Sequence, residues 1–210
     1  SDGPRLLKFV RAFFRLMIFI VLSLGGVFGA IGRKIVGATH ADLYKPYMWY
    51  CRNIHRFTGI RVYVEGKLPT HASVIVSNHR SYIDAGMVPS PQPLVFVAKA
   101  GVRHWPIIGW GGSAMRTIWV KRESADSRKQ TRREVLRRIQ DALSVIIFPE
   151  GTTHDGPEIL DYKMGMFKMC ADGGFPITPI AMEYRDKDVA WIGSSTFLDH
   201  AFRSFGHRNI

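Results

Sequence analysis

His79 and Asp84 stand five residues apart, just after the apolar run at residues 74–76. An imidazole titrates near neutral pH and can accept a proton from an attacking hydroxyl group. A nearby carboxylate fixes the tautomer of that imidazole and stabilises the imidazolium that forms. Residues five apart are separated by about 140° around a regular helix, so the two side chains meet only if the chain bends between them. By itself, the pair is also typical of a surface loop in which Asp84 caps a helix.

A second polar segment follows the apolar run at residues 144–147, where the chain reads FPEGT over residues 148–152. The proline has no N–H for a strand ladder, and the glycine permits a backbone conformation that turns N–H groups toward an anion or a polar headgroup. The carboxylate of Glu150 requires a hydrogen-bond partner at a strand end, because burial without one is unfavourable. This pattern favours a functional segment over an ordinary exposed turn.

Short apolar runs that alternate with helical segments must position these two loops. The apolar runs predict strands at residues 60–66, 73–77, 94–99, 144–149 and 176–184, and a further strand-like run lies at 117–122. Helical spacing or a glycine stop predicts helices at residues 127–143, 162–174 and 196–205. This alternation predicts an α/β fold, with a mostly parallel sheet flanked by helices. Active sites of such folds lie at the edge of the sheet where the strands end.

The chain begins with an apolar segment that we expect to associate with a membrane. Between Arg15 and Arg33 lie 17 residues without a charge, a length of about 26 Å as a helix against ~30 Å for the hydrocarbon core of a bilayer. The glycines at positions 25 and 26 weaken the middle of such a helix. We favour a helical hairpin that dips into one leaflet over a single span, and a single span over a signal peptide.

Two parts are predicted: an N-terminal membrane-associated helical segment at residues 1–58, and an α/β domain at residues 59–210. Residues 41–58 are rich in aromatic side chains, and an amphipathic helix that starts near Pro46 is expected to join the two parts. The chain ends at Ile210, shortly after its last predicted helix, which is compatible with a truncated C-terminus.

The composition leaves three kinds of partner open. The 210 residues carry a formal net charge of +12, which suits nucleic acid, an anionic membrane surface or an anionic substrate. The sequence contains no G-x-S-x-G nucleophile elbow and no G-x4-G-K-[ST] phosphate loop. It also shows no nucleic-acid-reading motif and no cluster of residues at metal-ligand spacing. We therefore expect no nucleic-acid partner and no metal.

The two polar segments resemble the glycerolipid acyltransferase family, whose best-known members are the 1-acylglycerol-3-phosphate acyltransferases. The resemblance extends in order from Ile60 to about Glu183 and covers four blocks. These are Asn78-His79-x4-Asp84; Lys99 with Pro106, Gly109 and Arg122; Phe148-Pro149-Glu150-Gly151-Thr152; and Pro176-Ile177-Thr178-Pro179-Ile180. Four blocks in sequence are far more specific than any one of them.

The resemblance implies a reaction and a role for each matching residue. His79 is expected to act as general base on a free lipid hydroxyl, and Asp84 to orient it. The hydroxyl then attacks the thioester of acyl-CoA or acyl carrier protein, the co-substrate, without a covalent acyl-enzyme and without a cofactor. Arg122 is the expected ligand of the acceptor's phosphate. The remaining residues expected to bind substrate are Asn78, Lys99, Glu150, Gly151 and Thr152.

The acceptor implied by the resemblance is lysophosphatidic acid, which would give phosphatidic acid. One departure bears on this choice: family members that act on lysophosphatidic acid often read FPEGTRS, whereas this chain has Thr153 and His154 in place of Arg and Ser. Another lysolipid, such as lyso-ornithine lipid or a lysophospholipid, is the alternative acceptor. A non-catalytic binder of anionic membranes is the alternative from another functional class. We expect a membrane-associated protein whose catalytic domain faces the cytoplasm and whose cleft opens toward the bilayer.

Overall fold

The computed structural model describes residues 4–87, 93–193 and 195–207. Its helices are α1 (Arg5–Ile35), α2 (His40–Thr58), α3 (Asp84–Met87), α4 (Ile108–Ala114), α5 (Ala125–Gln140), α6 (Gly165–Gly173) and α7 (Phe197–Gly206). Its strands are β1 (Val74–Ser77), β2 (Leu94–Lys99), β3 (Ile118–Val120), β4 (Ser144–Ile147) and β5 (Ile177–Ile180). Short 3₁₀ turns lie at Ala100–His104 and Lys187–Val189.

The five strands form one parallel sheet in the order β3-β2-β4-β1-β5. At the centre, Val74 of β1 lies opposite Val145 of β4 on one side and Ile177 of β5 on the other. Every residue of β1 and β4 is buried, as expected for central strands of a sheet that is covered on both faces. The predicted α/β fold with a mostly parallel sheet is confirmed.

Helices complete the core around this sheet. Tyr44 of α2, Val135 of α5 and Met166 of α6 are buried in one cluster with the side chains of the strands. The α5 helix begins where Ser124 Oγ accepts a hydrogen bond from the Ser127 N–H, an N-cap that satisfies one of the free donors of the first turn.

Most predicted strands coincide with observed ones, but the strand predicted at residues 60–66 is wrong. Val62 and Val64, which were expected to share a buried face with Ile60, are 41% and 51% exposed, and only Ile60 is buried. The segment connects α2 to the sheet without pairing with a strand. Apolar residues that alternate along the chain form a strand only where a neighbouring strand is present to pair with them.

The N-terminal apolar segment forms one continuous helix, so the prediction of a helical hairpin within it is wrong. The α1 helix runs through both glycines at positions 25 and 26, because packing against α2 outweighs their low helix propensity. Ser23 Oγ of α1 lies 2.8 Å from Tyr50 Oη of α2.

The second helix begins earlier than the sequence suggested. It starts at His40, and the prediction of a start near Pro46 was wrong. Thr39 and Asp42 form a capping box in which each side chain accepts a hydrogen bond from the other's backbone N–H. This cap satisfies two donors of the first turn and sets the start of the helix, and Pro46 then lies inside it.

The α1 helix is attached to the end of α7. Arg11 Nη1 donates to the Gly206 carbonyl at 2.8 Å, and Arg15 Nη1 donates to the Phe205 carbonyl at 3.1 Å. Basic side chains commonly satisfy the last carbonyls of a helix in this way. Leu16 packs in one buried cluster with Phe205. The division into parts at residues 1–58 and 59–210 stays a prediction, but α1 packs directly on the C-terminal helix.

The opposite face of α1 is apolar and exposed. Helix α1 is long and apolar enough to cross a membrane by length and composition. The apolar side chains of α1 that are more than half exposed are Leu6, Leu7, Phe9, Phe14, Val21, Phe28 and Ile35. A continuous apolar surface of this kind marks a site of contact with a membrane or another protein.

His200 on α7 makes the stability of the fold sensitive to acid. Its side chain is fully buried, its Nε2 lies 2.9 Å from the Val189 carbonyl, and burial lowers its pKa below 6.5. Below about pH 6.5 the unfolded chain therefore binds a proton at this residue that the folded chain does not, so the free energy of unfolding should fall as the pH drops. We expect His200→Gln, whose amide still reaches the Val189 carbonyl, to show a smaller drop in Tm between about pH 7.5 and about pH 5.5. Equal drops in the two proteins would contradict this assignment.

Candidate active site

The two polar segments singled out from the sequence lie side by side. Strands β1 and β4 are parallel neighbours, with Val76 opposite Ile147, so the loops that follow them leave the same edge of the sheet. The backbone joins these loops directly: the His154 N–H donates to the His79 carbonyl at 3.1 Å.

His79 and Asp84 meet in the turn after β1. His79 Nδ1 lies 2.7 Å from Asp84 Oδ2, and Asp84 begins the short helix α3. Because a carboxylate only accepts hydrogen bonds, the ring proton lies on Nδ1 and the lone pair lies on Nε2. His79 Nε2 has no hydrogen-bond partner among the residues that the structure describes. The bend that the five-residue spacing required is therefore present.

The carboxylate of Asp84 is fully buried and saturated with donors. Its Oδ2 also accepts the backbone N–H groups of Arg80 at 2.7 Å and Ser81 at 3.0 Å. Its Oδ1 accepts the hydroxyl of Tyr184 at 2.6 Å. Several donors stabilise the ionised form of a buried carboxylate and fix its orientation. The aspartate is therefore held rigidly beneath the imidazole.

The imidazole of His79 is also held from its face. Its ring stacks on Phe148, with ring centroids 4.0 Å apart and an angle of 14° between the planes. Its side chain is 20% exposed, and the exposed part contributes to the wall of a large groove. The aromatic contact and the Asp84 bond together leave the ring little freedom to turn.

The groove beside His79 has a volume of about 1200 Å³. Its walls are mainly apolar and come from α1, α2, the turn after β1, the segment around α4 and the sheet. They include Phe19, Val27, Ile54, Ile83, Phe96, Trp105, Ile108 and Trp119. Concave, mainly apolar sites with few polar groups suit ligands that carry hydrocarbon chains.

Several cations line the same groove. They are Lys99, Arg122, Arg128, Arg132 and Lys163, and within the described ranges none of them forms an ion pair with a carboxylate. The Arg122 guanidinium donates to the Gly151 carbonyl, which ties the end of β3 to the FPEGT loop. Unneutralised cations in a partly enclosed groove attract anionic ligands.

The remaining predicted site residues have defined places. Asn78 is held by two bonds to the Met182 backbone, at 2.8 and 2.7 Å, and Gly151 adopts a φ of 76° that favours glycine. Glu150 is buried, while Lys99 and Thr152 are exposed at the groove. Their roles in substrate binding stay predictions.

Outside the groove, Asp186, Asp188 and His207 bring three possible metal ligands together. His207 Nδ1 lies 2.9 Å from Asp186 Oδ2, and its Nε2 lies 3.4 Å from Asp188 Oδ2. Because both ring nitrogens already face a carboxylate, hydrogen bonding between these side chains accounts for the cluster.

Tyr184 was missed by the sequence analysis. It lies 100 residues from Asp84 in the chain, and no local spacing links the two. Burial, together with the Asp84 charge, raises the pKa of Tyr184 well above 10, so its hydroxyl stays protonated and donates to Asp84 at physiological pH.

We expect Tyr184→Phe to lower kcat about 3- to 10-fold. One hydrogen bond to a charged group contributes about 1.5–3 kcal/mol, and only part of this loss changes the orientation of His79, because Asp84 keeps its other donors. Initial-rate kinetics check this, and an unchanged kcat would contradict it.

Comparison with known proteins shows the family of this chain. The acyltransferase family model matches residues 59–183, a span that contains the loops after β1 and β4. The chain belongs to the acyltransferase family. The resemblance to glycerolipid acyltransferases drawn from the four sequence blocks is thereby confirmed, and with it the acyltransferase class of enzyme.

Among the acyltransferases similar to this chain is a lyso-ornithine lipid O-acyltransferase of Pseudomonas aeruginosa. It is 28% identical over 196 residues, which are 90% of this chain and 76% of that protein. A lyso-ornithine lipid O-acyltransferase of Rhizobium meliloti is 34% identical over 67% of this chain, and a 1-acyl-sn-glycerol-3-phosphate acyltransferase of Neisseria gonorrhoeae is 28% identical over 57%. This chain spans about half the length of these last two proteins, 52% and 48%.

A solved acyltransferase has the same fold. The 1-acyl-sn-glycerophosphate (LPA) acyltransferase PlsC from Thermotoga maritima superimposes with a TM-score of 0.63 over 82% of this chain and 72% of that one. The two sequences are 20% identical, so this likeness concerns the fold.

Proposed function

We propose that this acyltransferase moves a fatty acyl group from acyl-CoA or acyl carrier protein to the free hydroxyl of a lysolipid. The observation that carries the proposal is the 2.7 Å contact between His79 Nδ1 and Asp84 Oδ2, which leaves Nε2 as a base beside a large apolar groove lined by cations. A lysolipid and an acyl donor each combine a hydrocarbon chain with an anionic group, which is the combination that this groove offers.

The reaction follows from the orientation of the imidazole. The hydroxyl of the lysolipid gives its proton to His79 Nε2 while its oxygen attacks the thioester carbonyl. The charge of Asp84 stabilises the imidazolium that forms. The tetrahedral intermediate then breaks its carbon–sulfur bond, and the leaving thiolate takes the proton back from His79. An ester and a free thiol result, and the protein returns to its starting state.

We propose lyso-ornithine lipid as the preferred acceptor. Two observations support it: the Pseudomonas aeruginosa relative that bears this name is similar over most of both chains, and no arginine follows FPEGT. In the structure the Thr153 hydroxyl donates to the Trp191 carbonyl, and His154 is bonded to Glu150. Neither residue therefore offers a cation for a second contact with a phosphate.

Lysophosphatidic acid, favoured by the first resemblance, is the second candidate. The five cations of the groove support it, because a phosphate monoester carries nearly two negative charges at neutral pH, whereas a carboxylate carries one. The similarity to the Neisseria gonorrhoeae enzyme supports the same acceptor.

A panel of acceptors distinguishes the candidates. Purified protein in vesicles is given acyl-CoA with either lyso-ornithine lipid, lysophosphatidic acid or a lysophospholipid, and the products are identified by mass spectrometry. We expect the highest kcat/KM with lyso-ornithine lipid. A higher value with lysophosphatidic acid would favour the second candidate, and no transfer to any acceptor would support the non-catalytic membrane binder.

We also propose that the exposed face of α1 holds the enzyme on the cytoplasmic side of a membrane, where its acceptor lies. Full burial of a large apolar side chain is worth about 1.5–3 kcal/mol. Replacing Phe14, Val21 and Phe28 together by serine is therefore expected to weaken binding to vesicles by a factor of about 10² or more. Co-sedimentation with vesicles measures this. Ile159→Ser is the control, because Ile159 is an apolar residue, 80% exposed, that lies on a loop and not on α1. Equal binding by both variants would contradict the assignment.

A further inference from the structure

His154 and Glu150 form a second histidine–carboxylate pair beside the first. His154 Nε2 lies 2.9 Å from Glu150 Oε1, and the other oxygen of that carboxylate, Oε2, accepts the backbone N–H of His79 at 2.9 Å. Glu150 is only 6% exposed. Each of its oxygens thus has a protein donor, and one of these donors belongs to the residue that carries the proposed base.

The tautomer of His154 is determined by its surroundings. Its Nδ1 lies 3.0 Å from Arg80 Nη1 and 3.2 Å from the Gly156 backbone N. A guanidinium and a backbone N–H are both donors only, so His154 Nδ1 must accept and the ring proton must lie on Nε2. The His154 imidazole therefore donates to Glu150, which in turn accepts from His79.

These bonds form a closed connection between the two loops. Arg80, directly after the proposed base, also donates to the His154 carbonyl at 3.2 Å, and the His154 N–H donates to the His79 carbonyl at 3.1 Å. The loop after β1 is therefore bound to the loop after β4 through both backbone and side-chain hydrogen bonds, made by His79 and Arg80 on one loop and His154 on the other.

We propose that His154 is a positioning residue: it orients Glu150, which fixes the backbone of His79 and so the direction of Nε2. The proposal rests on the proposed function of His79 as the base. Displacement of a catalytic group by about 1 Å can lower a rate about 100-fold, so a residue that fixes this backbone affects the chemical step without touching the substrate. Loss of His154 should accordingly lower kcat and leave KM nearly unchanged.

Two substitutions separate this role from a general contribution to the loop. The amide nitrogen of glutamine reaches the place of His154 Nε2, so His154→Gln keeps the bond to Glu150. Asparagine can place its amide oxygen at the position of Nδ1, so His154→Asn can still accept the bonds from Arg80 and Gly156 but loses the bond to Glu150. We expect kcat to fall about 10- to 100-fold in His154→Asn and less than about threefold in His154→Gln. His71→Asn, at an exposed position before β1, is the control and should match the native protein.

A double variant tests whether the two residues act through one connection. If His154 acts only through Glu150, then Glu150→Ala combined with His154→Asn should lose no more kcat than Glu150→Ala alone. If the fall in kcat of the double variant equals the product of the falls in the two single variants, the connection is contradicted. Equal kcat in His154→Asn and His154→Gln would also contradict it. Tm measurements on each variant identify losses that come from unfolding.

A second readout needs no substrate, so it distinguishes failure of this proposal from failure of the proposed function. The ¹⁵N resonances of the His79 ring report its environment directly. We expect them to shift in His154→Asn and to keep their native positions in His154→Gln and His71→Asn. Unchanged His79 resonances in His154→Asn would overturn the positioning role. Absence of acyl transfer by the native protein, with those resonances shifted as expected, would overturn only the proposed function.

Discussion

Replacing His79 by alanine is expected to lower kcat for acyl transfer by a factor of ~10³, within the range of 10²–10⁴ that a positioned general base contributes. The imidazole is the group whose free nitrogen faces the groove, and its other nitrogen is bonded to Asp84. The ring also stacks on Phe148, so the alanine variant loses an aromatic contact as well as the base. Initial rates with acyl-CoA and a lysolipid in vesicles measure the change.

Binding to vesicles serves as the control for this variant. The apolar face of α1 is not altered by the substitution, so the variant should sediment with vesicles as the native protein does. A catalyst without its base still binds, whereas a non-catalytic binder shows no transfer even with His79 present. Native-like kcat in the alanine variant would contradict the assignment of His79 as the base.

Substitution of Asp84 is expected to have the second largest effect, and its size should depend on the replacement. Alanine leaves the Tyr184 hydroxyl and three N–H donors without their buried acceptor. Each unsatisfied buried donor costs about 1–3 kcal/mol, so Asp84→Ala should lower Tm markedly as well as activity. In Asp84→Asn, the amide oxygen can accept from the N–H donors, and the amide nitrogen can donate to the hydroxyl oxygen of Tyr184.

Asp84→Asn should therefore keep the His79 tautomer and lose only the charge that stabilises the imidazolium. We expect kcat to fall about 10²-fold in Asp84→Asn, with a smaller change in Tm than in Asp84→Ala. Kinetics and circular dichroism on both variants check the two expectations. A kcat for Asp84→Asn equal to that of the native protein would show that the carboxylate charge has no role in the reaction.

Much of the site was accessible from the sequence because its key residues are close in the chain and follow buried strands. A polar pair directly after the run at residues 74–76 has to lie at the carboxyl edge of a parallel sheet. The FPEGT segment follows another such run, and the pairing of β1 with β4 places the two loops together. The tight turn between His79 and Asp84 was the condition stated for their contact, and the structure contains it.

Other features depended on contacts that no local pattern contains. Tyr184 reaches Asp84 only because β5 lies next to β1. The segment at residues 60–66, which is exposed except for Ile60, has the same alternation as a real strand. The start of α2 is readable from the sequence, because Thr39-x-x-Asp42 has the pattern of a capping box, and Pro46 within the helix does not mark its start. The bonding of His154 to Glu150 depends on the folded shape of a loop outside any regular helix.

The central claim is that a lipid hydroxyl, activated by His79, takes the acyl group directly from the thioester. The most direct test measures thiol release and lipid product in the same reaction, with acyl-CoA and vesicles that contain or lack lyso-ornithine lipid. Thiol and acylated lipid are expected to appear in equal amounts, only when the lysolipid is present, and both should nearly disappear in His79→Ala. Equal thiol release with and without the lysolipid, or an acyl group bound covalently to the protein, would contradict it.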